Sequence, residues 1–255
     1  MDDKTQIIAA LKKSGFPLQT RVEHEIQARR ATGWKLEASE YPWMDVDGRD
    51  QFIDLIACCK SELLERVVVL VIECKKAQER SLLFLCPFGS ERTGPVTTVR
   101  TWSFVRAADA YWAVRDDIAV EPASYRAAFC VTTDKDKAGQ RLLEPDARLV
   151  MFAADEAVSD SRLSRLPVGS LFLPIIVTSA RLYTLHFQPT EIDLDTGDFG
   201  KLDPARLESI QWVRFHKTFT ARGDGTPRTI FVVSSGALPS FLDEISRWQG
   251  IGAPK

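Results

Sequence analysis

The chain has 255 residues, 45% of them hydrophobic and 27% charged, a composition that supports a substantial buried core and excludes a disordered or fibrous class. Its 33 basic and 35 acidic residues leave a net charge of −2, so no global positive field advertises a polyanionic partner, although a local patch is enough to bind phosphates. The five cysteines fit no zinc spacing, no stretch approaches the ~20 apolar residues of a membrane span, and the first residues carry no signal-like apolar core, so the expectation is a reduced, cytoplasmic protein without membrane contact.

Ile7, Ile8 and Leu11 recur at helical intervals between Lys4 and Ser14, and Gly15 is suited to end that helix. Pro17 suits the first turn of a second helix, from about Leu18 to Thr32, with Val22 and Ile26 on its buried side. Glu23 and Glu25 lie about 200° apart around it, so only one of them can face a given site. Trp34 to Tyr41 alternates weakly, as a first strand would, and the acidic, turn-rich loop from Asp45 to Asp50 follows.

The stretch from Gln51 to Gln78 carries the strongest signal. Two apolar runs, Phe52 to Ala57 and Val67 to Ile72, flank a charged connection from Lys60 to Arg66, the pattern of a β-hairpin. Successive strand side chains alternate between faces, so Glu73 and Lys75 point together, and pairing the hairpin brings the Asp54 carboxylate beside Glu73. A half-buried carboxylate pair is costly unless a cation neutralises it. Hard oxygen ligands of this kind suit a magnesium or manganese ion that keeps some of its waters. A lysine beside such an ion can orient an attacking water or stabilise charge building on a phosphate oxygen.

Lys76 and Arg80 come next, at a strand end suited to phosphate contact. An apolar run from Leu82 to Cys86 leads into a loop over 87–100, with Arg92, Arg100 and, just beyond, Trp102 as candidates to hold a nucleic-acid backbone. The pattern predicts a helix from Ser103 to Val114 and a strand from Tyr125 to Thr132. A helical crossover follows, interrupted at Pro145 and resumed from Ala147 to Val158. The continuous apolar run from Phe172 to Thr178 reads as a central strand covered on both faces, with Arg181 to Phe187 its expected neighbour across the tight Ser179-Ala180 link. The acidic segment from Asp193 to Asp198 opens like a calcium loop but has Pro204 at the twelfth position, which leaves an acidic turn. Strands near Ile210–Phe215 and Arg228–Ser234 and a helix from Pro239 to Trp248 complete the chain. His24, His186 and His216 form neither a triad nor a zinc spacing, and no glycine-rich phosphate loop or serine elbow is present.

An acid on a second strand and an acid-x-lysine on a third, here Asp54 and then Glu73-Cys74-Lys75, resemble the PD-(D/E)xK, or restriction-endonuclease-like, nuclease superfamily. The helical Val22-Glu23-His24-Glu25-Ile26 and the first-strand Gly33-Trp34-Lys35-Leu36 extend the resemblance upstream, while Ile53 stands where the name-giving proline would be. The resemblance implies an α/β fold with a mixed sheet, an αβββαβ core within residues 1–190, and a C-terminal α/β extension, 191–255, packed on the same domain. It further implies a Mg2+ (or Mn2+) dependent nuclease, acting on DNA more than RNA, in which Asp54, Glu73 and the Cys74 carbonyl hold the ion. Lys75 would position the water, and Glu23, with Glu25 as the substitute, would complete or orient the metal shell. A homodimer or a larger defence or repair assembly is compatible with it. The alternative is a catalytically silent module of the same shape, used for nucleic-acid binding or complex assembly.

Overall fold

In the computed structural model of the chain, the described residues are 2–45, 47–60, 67–77, 80–87, 101–106, 111–116, 124–133, 143–167, 170–218 and 227–246; for 101–106, 111–116, 218, 227 and 228 only the backbone is described. They form a mixed α/β protein with two mixed sheets. Helices α1 (Asp3–Lys13) and α2 (Phe16–Ala28) lead through a 3-10 turn, Arg30–Thr32, into an antiparallel meander of β1 (Trp34–Met44), β2 (Asp50–Lys60) and β3 (Val67–Lys75). The 3-10 turn ends the second helix four residues before the expected Thr32, and Gly33 closes that turn at φ +90°, a conformation that a residue with a Cβ adopts only with strain.

The meander is one side of a nine-stranded sheet in which β3 is followed by β9 (Leu171–Thr178), β13 (Pro227–Ser234), β12 (Trp212–Thr218) and the short β7 (Tyr125–Ala127). Strands β3 and β9 run parallel, which requires a crossover, and α3 (Leu143–Ser159) supplies it. Pro145 does not interrupt this helix: it occupies the first turn, where no intrahelical N–H bond is needed. All eight residues of β9 are buried, as the continuous apolar run predicts, because helices cover both faces. On one face α3 packs through Ala147, Val150, Met151 and Ala154 with Val69, Val71, Phe172 and Ile176. On the other, Val22 and Ile26 of α2 and Phe241 and Leu242 of α4 (Leu238–Ser246) meet Leu55, Leu70, Ile72, Ile175 and Val177.

A second, four-stranded sheet has the order β11 (Leu207–Ile210), β10 (Arg181–Phe187), β4 (Ser81–Pro87) and β8 (Phe129–Thr132). Its Leu82, Phe84 and Leu182 join the same apolar cluster as α3. Three expectations fail here. The segment expected as a helix from Ser103 to Val114 is an antiparallel strand pair, β5 (Thr101–Arg106) and β6 (Tyr111–Asp116), whose β5 docks on β9. The single strand expected from Tyr125 to Thr132 is two, β7 and β8, in different sheets. Strands β9 and β10 are not neighbours, since the chain crosses between the sheets at Ser179-Ala180. A proline helps to organise β9: Pro174, which has no N–H to give, falls at the step between residues 171–172, paired with β5, and residues 175–178, paired with β13. The expected helical stretch around 134–142 and the hairpin connection at 61–66 lie outside the described residues. The Asp193 turn is as expected: its carboxylate accepts the N–H groups of Asp195 and Thr196 and the Thr196 hydroxyl.

Candidate active site

The β2–β3 ladder ends at the Leu55–Ile72 pair, one step short of Asp54 and Glu73. Where the next backbone bond would form, Oδ2 of Asp54 accepts the N–H of Cys74 at 2.6 Å. A side chain thus replaces a backbone acceptor, and the replacement fixes the Asp54 carboxylate against β3 beside Glu73. The other neighbour of Asp54 yields as well. In the β1–β2 register Ser39 faces Leu55 and Tyr41 faces Ile53, and Glu40, skipped between them, has φ +48°. It is the only non-glycine residue with positive φ among the described residues, a conformation that costs about 1 kcal/mol or more for a side chain with a Cβ. The carbonyl of Asp54 receives a long bond, 3.4 Å, from Nε2 of the buried Gln19 on α2.

Glu73 and Lys75 project from β3 toward α3, while the Cys74 thiol is buried on the α2–α4 face. Nζ of Lys75 donates to Oδ1 of Asp146, in the first turn of α3, at 2.8 Å. Burial raises the Asp54 pKa, with the Glu40 charge adding to it, against the Cys74 N–H and Lys75, which lower it. Glu73 is pushed up to about 8, first by burial and then by the negative charges of Asp54 and Asp146, with Lys75 opposing. At neutral pH Glu73 therefore keeps its proton unless a cation takes the proton's place. The donor set for such a cation is two carboxylates and the carbonyl of Cys74, which in a strand projects to the same edge as its N–H. Among the described residues no group of three or more His, Cys, Asp or Glu side chains is arranged to hold a metal ion. Any ion held here would keep waters in its shell, as magnesium does when one or two carboxylates bind it.

The other expected residues fall as follows. Glu23 lies on α2, where Oε1 accepts from Gln27 at 3.0 Å, and among the described residues it makes no hydrogen bond to Asp54 or Glu73. Glu25 is bound to Arg21 and Arg29. Nζ of Lys76 donates to the carbonyl of Lys12 at the end of α1. The carbonyl of Arg80 accepts the N–H of Arg181 at 3.2 Å, so the two arginines adjoin where β4 and β10 begin. Arg92 and Arg100 lie outside the described residues, and of Trp102 only the backbone in β5 is described. Sequence reasoning missed Asp146, Glu40 and Gln19. Asp146 sits 71 positions after Lys75 and reaches it only through the crossover helix, so no local signal marks it. Comparison with family models, with curated proteins and with solved structures finds no match to this chain.

Proposed function

We propose that the protein is a divalent-metal-dependent nuclease that hydrolyses phosphodiester bonds in nucleic acid, DNA before RNA, built on a restriction-endonuclease-like core. The observation that carries the reading is the Asp54–Glu73 pair, one carboxylate bound to the strand of the other and both disfavoured as anions, with Lys75 on the same face. The element order supports it too. Helix α2 and the meander β1–β2–β3, then, after the intervening strands β4 to β8, helix α3 and the parallel strand β9 give the order α, β, β, β, α, β, with the pair at the carboxyl end of β3.

Asp54, Glu73 and the Cys74 carbonyl would hold magnesium or manganese, and the bound ion supplies Lewis acidity toward water and charge neutralisation at the leaving oxygen. Lys75, whose charge acts on both carboxylates and whose ammonium is held by Asp146, would meet the charge that develops on a phosphate oxygen. Asp54 also sets the position of β3 through the Cys74 N–H, so it both binds and aligns.

Replacing Asp54 by alanine should abolish calorimetrically detected Mn2+ binding and, in the same preparation, cleavage of linear, supercoiled and single-stranded DNA and of RNA. The circular dichroism spectrum should stay unchanged. An Asp54→Ala protein that cleaves as fast as the parent sinks the proposal. The Lys75–Asp146 contact also favours a second reading, a silent module in which the lysine is only a structural ion pair. In that case the metal-free parent shows no Mn2+ binding that depends on Asp54 and Glu73.

A further inference from the structure

Helix α1 poses a question that the acid pair does not answer: none of its residues is buried, yet its last turn is held against the strand that carries Glu73 and Lys75. The tie is the Lys76 ammonium, which donates to the carbonyl of Lys12. It sets two further cations, Lys12 and Lys13, beside the end of β3, with the acidic Asp3 in the opposite, first turn of the helix.

A matching arm stands on the other side of the same strand end. Lys75 lies opposite Thr178 in the β3–β9 register, and its carbonyl accepts the N–H of Ser179 at 3.2 Å. Two residues later Arg181 adjoins Arg80 through the 3.2 Å backbone bond. Both Lys12 and Lys13 are exposed, as is Arg181, and their charged ends make no hydrogen bond or ion pair among the described residues. Helix α1 adjoins the α2 side of the sheet and β10 belongs to the sheet on the α3 side. The cations therefore cross the carboxyl end of β3, the strand that carries Glu73, from one face to the other.

We propose that Lys12, Lys13, Lys76, Arg80 and Arg181 form a strip that binds the phosphodiester backbone of the nucleic acid across this end of the sheet, with the C-terminal turn of α1 as one arm and the start of β10 as the other. The strip deepens the nuclease reading, on which its choice of partner rests, but it does not require turnover. A polyanion is the partner that suits it. A row of cations, with Lys12, Lys13 and Arg181 uncommitted among the described residues, gains by releasing the counterions of successive phosphates, while a chain of net charge −2 has no global field to do so. The row also explains why α1 is docked by its end: the contact through Lys76 presents charge without burying an apolar face.

The test is fluorescence anisotropy on the full chain with fluorescein-labelled duplex DNA, single-stranded DNA and RNA of one sequence, in calcium-free EDTA buffer, over a range of salt concentrations. The K12A/K13A double variant and R181A should each weaken binding on the order of three- to fivefold per charge removed and lower the slope of log K against log salt by about 0.7 to 0.9 per charge. The control is K60A, in which the altered residue lies at the far end of β2, paired with Val67 at the start of β3. It should bind as the parent does. Variants with the affinity and slope of the parent, a K60A loss as large as theirs, a parent that binds none of the three probes, or capture by phosphatidylserine vesicles in place of nucleic acid would each overturn the strip. Asp54-dependent cleavage that survives alongside any of these outcomes would leave the nuclease reading standing, so the two failures are distinguishable.

Discussion

Glu73 is the side chain on which the site's chemistry turns, because its environment opposes the charge that metal binding needs. Its carboxyl group titrates at about 8 in the folded protein against a reference value of 4.5. The folded state therefore binds more protons than the unfolded one between those values. The stability that Glu73 contributes is fully present below pH 4.5 and is lost as pH rises through about 8. Glu73→Gln cannot ionise, so in EDTA its stability relative to the parent should rise across that window, by on the order of 5 kcal/mol at pH 9. Urea denaturation of both proteins at pH 5, 7 and 9 measures it, and parallel curves would show that the carboxyl is not held protonated. Sequence reasoning placed Asp54, Glu73 and Lys75 together because strand alternation and hairpin register are local rules. It did not single out Gln19, one turn before Glu23 on α2, whose amide reaches the Asp54 carbonyl, because helix periodicity says which residues share a face but not how far the helix slides along the sheet.

Among the elements, α1 and α4 make a contrast that their sequences do not announce. Both carry apolar residues at helical spacing. Ile7, Ile8 and Leu11 of α1 are each more than half exposed, whereas Phe241 of α4 is fully buried, with its ring 5.4 Å from Phe231 and 5.7 Å from Trp212. Phe241→Ala should lower stability by about 3 to 5 kcal/mol, because the cavity it leaves lies between a helix and the central strands. Thermal or urea unfolding reads this directly, and a loss under 1 kcal/mol would mean that α4 does not close this face of the core. The segment from 101 to 116 misled at the same scale. Its alternation is compatible with an amphipathic helix when read alone, and docking of β5 against β9 selects the strand pair.

At the scale of the molecule, the C-terminal quarter is not an appendage to a finished core. Strand β13 lies next to β9, and β12 next to β13, so residues beyond 190 supply the partner that β9 needs on the side away from β3. A chain truncated after residue 190 also loses α4, which covers the α2 face. It should be insoluble or lack a cooperative unfolding transition, as measured by circular dichroism and by proteolysis. A stable, cooperatively folding 1–190 fragment would show that the first part of the chain closes its core alone. The two sheets are bound together in the same way, since the chain leaves the large sheet at Thr178 and enters the small one at Arg181, and both pack on α3.

By itself the sequence determined the meander, the covered strand β9, the crossover helix and the alignment of Asp54 with Glu73 and Lys75. Each of these follows from side-chain periodicity and from contacts between segments close in the chain. Tertiary structure alone decided that β9 and β10 part into different sheets, that Asp146 meets Lys75, and that the end of α1 reaches Lys76. Those contacts join residues tens of positions apart, and they depend on where whole elements come to rest once apolar faces have been buried, which no local pattern of residues encodes.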